Sequence, residues 1–412
     1  MPNMLTATRP LPRALARTPV LRRENAWTVF EVLRADERSR SAPELASETG
    51  LTRPTVDAAL EMLDQKGWLK AAGAAPSQGG RPAALFEAAP EGAWVVALSF
   101  YLPEICGVVL DLRGRVVAEA GRRVPGNASA SAALGALDAL LGELLQAGDR
   151  AFGLARRPRL AAVAVAVAGT LSPDRRVSRT LARVQDWQDV PLAERIEAML
   201  AARGLSAPAL LDRYLSALGR SLTTSESDGP VLCMEVAAGV GVGLGSSAGV
   251  GVNAGEFGFT LLDPNGPSDA TGRRGTVEAF LADAQVEAAC NAALKRRPPK
   301  DGTTNTNFYV EIGCAAEAQH PFADVLALRF AQALANLSAL FAPERIEVRG
   351  AVAQAGAAFH ELVLTKFRAL AVNPCALDWA PVDVLAPAVA LGREVLAARL
   401  RRALLTNSVA VF

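Results

Sequence analysis

Aromatic residues make up only 5% of this 412-residue chain, and His320 and His360 are its only histidines. Two histidines so separated, and outside every motif below, suggest neither a metal site nor a proton relay, and we assign them no catalytic role. Cysteine is also sparse. Cys106, Cys233, Cys290, Cys314 and Cys375 are odd in number, widely spaced and never arranged as Cys-x-x-Cys, which argues against a disulfide framework or a zinc ribbon. Five free, buried thiols are expected. No apolar run reaches the ~18 residues needed to cross a bilayer. The Arg-rich start lacks the apolar core and cleavage site of a secretory signal, so a cytoplasmic protein with no membrane partner is expected. A net charge of +1 gives no global attraction for nucleic acid.

What is present is ample apolar surface. Half the residues are hydrophobic and 21% are charged, which suits an ordered fold, and the length calls for two or three packed units. The Ala and Arg content is high. Residues 1–23 carry several prolines and Arg9, Arg13, Arg17, Arg22 and Arg23 ahead of the first acid, Glu24. We expect a disordered basic tail there.

Residues 24–90 read as a winged helix-turn-helix. From Asn25, residues Ala26, Val29, Phe30, Val32 and Leu33 share one helical face. Ser41, Pro43 and Glu44 form a capping-box pattern that opens a second helix, which Gly50 ends. Thr52 is placed to cap a third helix with Val56, Ala59, Leu60 and Leu63 on its inner face. After Gly67-Trp68-Leu69, the Gly/Pro-rich stretch 73–82 and the apolar run 83–86 predict a wing. In such a unit the start of the third helix enters the major groove of double-stranded operator DNA. Thr52, Arg53 and Thr55 lie there, and Arg53 has the fork to read guanine. Arg81, in Gly79-Gly80-Arg81-Pro82, is a candidate for the minor groove.

Residues 91–412 alternate strands and helices, which implies an α/β body with two similar lobes. Strands are expected at 95–98, 106–112, 116–117, 160–167, 231–236 and 345–348. Helices are expected near 130–147, 191–203, 276–296, 321–341, 355–370 and 388–404. A Gly-rich segment spans 239–251.

The helix-turn-helix and the Gly-Gly-Arg-Pro wing precede an α/β body. That body carries Asp111-Leu112-Arg113-Gly114-Arg115-Val116-Val117, Asp186-Trp187-Gln188-Asp189-Val190-Pro191-Leu192 and Gly255-Glu256-Phe257-Gly258. This combination resembles the ROK family of sugar-responsive repressors and sugar kinases, from about Asn25 onward. The resemblance implies a two-lobed, actin-like ATPase fold. Among its members the regulators carry the N-terminal unit.

Set against the kinases, the chain departs at the first phosphate loop and at the catalytic base. Where the family has an Asp-x-Gly-Gly-Thr phosphate loop, this chain has Ser99-Phe100-Tyr101-Leu102-Pro103, too bulky to cradle phosphate. The Asn-Asp pair that supplies the base matches Asp212-Arg213, which puts Arg213 at the base position. Asp212 would serve only if the register slipped by one residue. The second phosphate loop survives as Ala237-Ala238-Gly239-Val240-Gly241-Val242-Gly243, which we read as inherited architecture. The family's zinc ligands become Phe259, Asp269, Thr271 and Thr276, framed by Gly272 and Gly275, a set that cannot hold tetrahedral zinc. No metal and no cofactor are therefore expected. The two carboxylates that hold sugar hydroxyls match Glu256 and Glu278, and Asn253, Gly169 and Thr170 are counted with them as pocket residues.

The expected function is a DNA-binding regulator, a homodimer or homotetramer, with a catalytically inactive body that senses a sugar or sugar derivative. Two alternatives stand beside it: an ATP-dependent sugar kinase with an accessory domain, and a DNA-binding protein whose body is only a scaffold.

Overall fold

The computed structural model describes residues 19–75, 82–125, 128–153, 159–184, 186–222, 229–246, 251–253 (as backbone), 255–295 and 307–406. Arg81 and the side chain of Asn253 lie outside this description.

The first unit forms because three apolar helix stripes meet. α1 (Pro19–Ala35) buries Ala26, Val29, Phe30 and Leu33, α2 (Ala42–Thr49) buries Ala42 and Leu45, and α3 (Arg53–Gln65) buries Val56, Ala59, Leu60 and Leu63. α1 starts earlier than expected. Residues 19–23, placed in a tail by sequence, are helical, with Pro19 in the position a helix start tolerates and Arg23 donating to the carbonyl of Leu405. The capping box of α2 is present, the Ser41 amide donating to Glu44 Oε2 at 2.8 Å, and Gly50 closes the helix at φ 69°. Those bonds and Arg38 hold the Glu44 carboxyl down at about 2.

The polar run 36–40, which follows α1, is mostly exposed apart from the clip made by Arg40. Arg40 is 6% exposed and bonds Asp36 at 2.8 and 2.9 Å and Glu48 at 2.9 Å, joining the end of α1 to the end of α2. Strands β1 (Arg40–Ser41), β2 (Leu69–Ala74) and β3 (Ala84–Ala88) make an antiparallel sheet in the order β1-β3-β2. The element order is that of a winged helix-turn-helix.

Two lobes of like topology follow. The first has β4 (Ala93–Tyr101), β5 (Glu104–Leu110), β6 (Val116–Arg123), α4 (Ala130–Phe152), β7 (Arg159–Val167), α5 (Leu192–Ala201), β8 (Ala209–Arg213) and α6 (Tyr214–Ser221). Its sheet runs β6-β5-β4-β7-β8, an antiparallel meander continued by parallel strands. β4 and β7 are almost wholly buried, which is why they read as continuous apolar runs. The second lobe repeats the plan with β9 (Val231–Val236), β10 (Val240–Gly245), β11 (Gly251–Asn253), β12 (Arg345–Gly350) and β13 (Ala376–Ala380), in the order β11-β10-β9-β12-β13. Its helices are α7 (Val277–Leu281), α8 (Asp283–Ala293), α9 (Phe308–Glu317), α10 (Pro321–Phe341) and α11 (Gly356–Leu370). The single helix expected near 276–296 is two, because Ala282 between α7 and α8 is extended (ψ 142°).

Among the described residues α10 is long and apolar enough to cross a membrane by composition. Leu326, Ala327, Phe330, Ala331, Leu334 and Leu337 are instead packed in the second-lobe core. The thiols differ from expectation too: Cys106, Cys233 and Cys290 are buried, but Cys375 is half-buried and Cys314 is exposed on α9.

The last helix, α12 (Leu385–Leu405), leaves the second lobe and returns to the first, packing on β4, β5, β7, α6 and α1. One apolar cluster therefore runs from Phe30 and Trp68 through Val95, Leu110 and Ala164 to Leu391, Leu396 and Leu400. The N-terminal unit and the first lobe share a core.

Candidate functional site

The start of α3 is exposed. Thr52 holds the N-cap position, but its hydroxyl lies 2.8 Å from that of Thr55 and makes no bond to the backbone. The expected cap fails for a local reason. Pro54 at the second helical position has no N–H, and the amide of Thr55 already donates to the Thr52 carbonyl at 2.9 Å. Arg53 donates through Nε to both oxygens of Asp57, at 2.9 and 3.1 Å. Both side chains are more than half exposed, so the pair contributes about 0.3–0.5 kcal/mol and does not hold Arg53 from a stronger acceptor. Thr52, Arg53 and Thr55 thus gather on one solvent-facing helix end.

This unit is fastened to the body by residues that sequence reading used only to mark the resemblance. In the β5–β6 turn, Asp111 Oδ1 accepts from the amides of Arg113 and Arg115 at 2.9 Å, and Gly114 takes φ 80°. The turn aims Arg113 back at the wing, where it donates to Ala88 O at 2.7 Å and to Glu87 at 3.1 Å. Arg115 pairs with Glu37, Lys66 donates to Ala403 O at 3.1 Å, and Arg401 pairs with Glu24 at 3.0 Å.

The second candidate region lies between the lobes. α6 packs on β10 and β11, and Tyr214, its first residue, donates to Glu235 of β9 at 3.2 Å. Tyr101, at the end of β4, stacks on Tyr214 with centroids 4.7 Å apart. Tyr101 stands in the segment matched to the first phosphate loop of the kinases, and Tyr214 directly follows the pair matched to their base. Burial pushes the Glu235 carboxyl up to about 7 against the opposing bonds from both tyrosines. Asp283, which accepts from Tyr309 at 2.9 Å, is raised by burial to about 6.

Successive residues of a strand face opposite ways, and the end of β8 shows the consequence. Asp212 is 4% exposed and pairs with Arg220 and, at 3.0 Å, with Arg175, lining a cavity of about 280 Å³ with Leu391 and Glu394 of α12. Arg213 points elsewhere and pairs with Glu256 of the second lobe. Glu256, expected to be open for a polyol, is thus occupied by an internal cation. Glu278, in the first turn of α7, lies over the β9–β10 turn at Gly239. Burial raises its pKa, the amide of Val240 opposes that, and Asp269 and Glu256 add to the rise.

Thr170 is bound internally as well: its amide donates to Thr180 Oγ1 at 3.0 Å and the two hydroxyls lie 2.8 Å apart. Gly169 sits so close to Thr180 O that a side chain would collide. Both residues therefore brace the 178–184 loop. Asn253 places its backbone in β11 opposite Gly243.

Three of the four substituted zinc positions still converge. Asp269 is 6% exposed and accepts from Thr271 Oγ1 at 2.6 Å, Thr276 Oγ1 at 2.9 Å and the amide of Arg273 at 3.0 Å. Burial alone would raise its pKa, but these bonds bring it below the ordinary value. The Arg273 guanidinium lies 5.0 Å from the Phe259 ring centre, so the fourth position covers the knot with a cation–π contact.

The ROK family pattern matches residues 112–390, about two thirds of the chain. The chain belongs to the ROK family. The Xylose repressor of Bacillus subtilis (strain 168) is 21% identical over 345 residues, 82% of this chain and 83% of that protein. A solved ROK family transcriptional regulator, described as a homolog of the E. coli MLC protein, superposes with a TM-score of 0.70 at 17% identity, over 94% of this chain and all of that one. ROK Hexokinase from Thermus thermophilus gives 0.58 at 20% identity, over 73% of this chain and 99% of its own. The ROK kinase fold thus accounts for about three quarters of this chain, whereas the ROK regulator fold accounts for nearly all of it.

Proposed function

We propose that this protein is a sugar-responsive transcriptional regulator, in which residues 24–90 bind operator DNA in the cytoplasm and the ROK body senses rather than phosphorylates. The observation that carries this reading is the exposed, unobstructed start of α3 on a unit whose apolar core continues into the body. Thr52 and Thr55 offer hydroxyls to phosphate and methyl groups to a thymine methyl, and Arg53 offers its fork to guanine. Arg81 of the wing is assigned to the adjacent minor groove. The name of the Bacillus relative agrees with this, and a sugar or sugar derivative is the natural effector of such a body.

Against phosphoryl transfer stand two features of this chain. A guanidinium, Arg213, holds the place of the base, and a cation already protonated cannot accept a hydroxyl proton. Tyr101 stands where glycines are needed for backbone amides to approach phosphate. A coupled assay showing sugar-dependent ATP consumption would reverse this part of the reading.

The regulator is assigned as a homodimer or homotetramer, matching a two-fold operator. Val310, Val325, Leu340, Leu370 and Val372 stand exposed on the second lobe, apolar surface suited to a second copy. The test of the whole reading is a binding-site selection with wild type and Arg53→Ala. The variant is expected to lose about 1–3 kcal/mol of discrimination at one base position while other positions keep their preference. An unchanged sequence preference would remove Arg53 from base readout.

A further inference from the structure

The two lobes bring opposite charges to the place where Arg213 meets Glu256. The first lobe contributes guanidiniums: Arg213 at the end of β8, and Arg183, exposed at φ 70° in the 178–184 loop, with its charge felt by Tyr101 and Asp283. That loop is braced. Thr170 bonds Thr180, and Trp187 Nε1 donates to Ser178 Oγ at 3.0 Å. The second lobe contributes carboxylates, but most of them are already engaged: Glu235 accepts from Tyr214, Asp283 from Tyr309, and Glu278 from the Val240 amide.

The remaining carboxylate is Glu256, and it sits on Arg213. The Arg213 side chain is 32% exposed and that of Glu256 is 53% exposed, so solvent reaches the pair and weakens it. Glu256 rests on no helix or strand; it precedes the short 3-10 turn Phe257–Phe259. An incoming anion can therefore exchange for it.

We infer that the ligand bound between the lobes is an acidic sugar derivative, whose carboxylate or phosphate takes the place of Glu256 on Arg213 while its hydroxyls reach Glu278. This rests on the reading of the body as a sugar sensor. A neutral sugar would have to break the Arg213–Glu256 pair without replacing either charge. An acid exchanges one anion for another, and the planar guanidinium fork matches carboxylate and phosphate geometry. Arg183 adds a second positive charge from the same lobe.

Isothermal titration calorimetry on the full-length protein tests this with xylose, glucose and N-acetylglucosamine, each against its sugar acid and its phosphate ester. At least one acid is expected to bind about tenfold or more tightly than its neutral parent, a margin that shrinks as salt is raised. The acid and ester arms tell carboxylate from phosphate. Arg213→Gln, with its fold checked by circular dichroism, is expected to lose the margin, and Glu256→Gln to bind the acid more tightly because the internal competitor is gone. The inference is overturned if neutral sugars bind as tightly as acids, if Arg213→Gln keeps the margin, or if Glu256→Gln weakens acid binding. A panel in which nothing binds would strike down the sensor reading itself, whereas neutral binding alone would leave that reading standing.

Discussion

Glu235 is the residue whose environment has the clearest consequence in solution. Its carboxyl is pushed from 4.5 to about 7 by burial, so the folded state holds its proton more firmly than the unfolded chain. The stability this lends is whole below pH 4.5 and is lost as pH rises through about 7, a change on the order of 3 kcal/mol. Glu235→Gln does not titrate. The thermal midpoint of the wild type is therefore expected to fall more steeply than that of the variant between pH 5 and 8, and parallel curves would show that Glu235 is ionised throughout. None of this was readable from residues 99–103, where only the bulk of Phe100 and Tyr101 stood out, because the partners of Tyr101 lie on α6 and β9. Likewise Asp212-Arg213 was recognised as an altered pair, but its partners Arg220, Arg175 and Glu256 come from three other segments. Thr52 takes the expected N-cap position, but its hydroxyl makes no cap bond for a nearer reason, the proline two positions on.

The elements most legible in sequence were those with one wet and one dry face. α2 and α3 followed from the capping box, Gly50 and the spacing of Val56, Ala59, Leu60 and Leu63, all of which are buried. α9 was missed because Phe308, Tyr309, Ile312, Gly313 and Ala315 are buried with little periodic contrast, and α6 because it begins directly at the end of β8. The Gly-rich run 237–243, read as inherited phosphate-loop architecture, has a packing reason of its own. A side chain at Gly243 would meet the Leu215 carbonyl at 2.5 Å, and one at Gly219 the Leu244 carbonyl at 2.4 Å, so α6 and β10 touch backbone to backbone. Gly219→Ala is expected to force them apart and destabilise the protein by about 1–3 kcal/mol, the usual range for overpacking. Chemical denaturation measures this, and a midpoint equal to that of the wild type would show that the lobes tolerate the added methyl group.

At the scale of the molecule, the alternation of strands and helices foretold two lobes, but not that α12 would return from the second to complete the first. That return ties α1 to a segment synthesised much later. Arg23 donates to the carbonyl of Leu405, 382 residues away, and Lys66 to that of Ala403. At ~5–20 residues per second, a ribosome needs roughly 20–75 s to make the intervening chain. During that interval Ala97 and Leu110 lack the helix that covers them, and the N-terminal unit has no fixed seat. A chain shortened after Asp383 is accordingly expected to be cut by protease at residues 89–92 and to lose operator binding, although Thr52, Arg53 and Thr55 are all in place. Protection equal to that of the full chain would show that the seat forms without α12. If the dependence holds, operator occupancy waits on the synthesis of α12, and a translation product interrupted before that helix cannot act as a regulator.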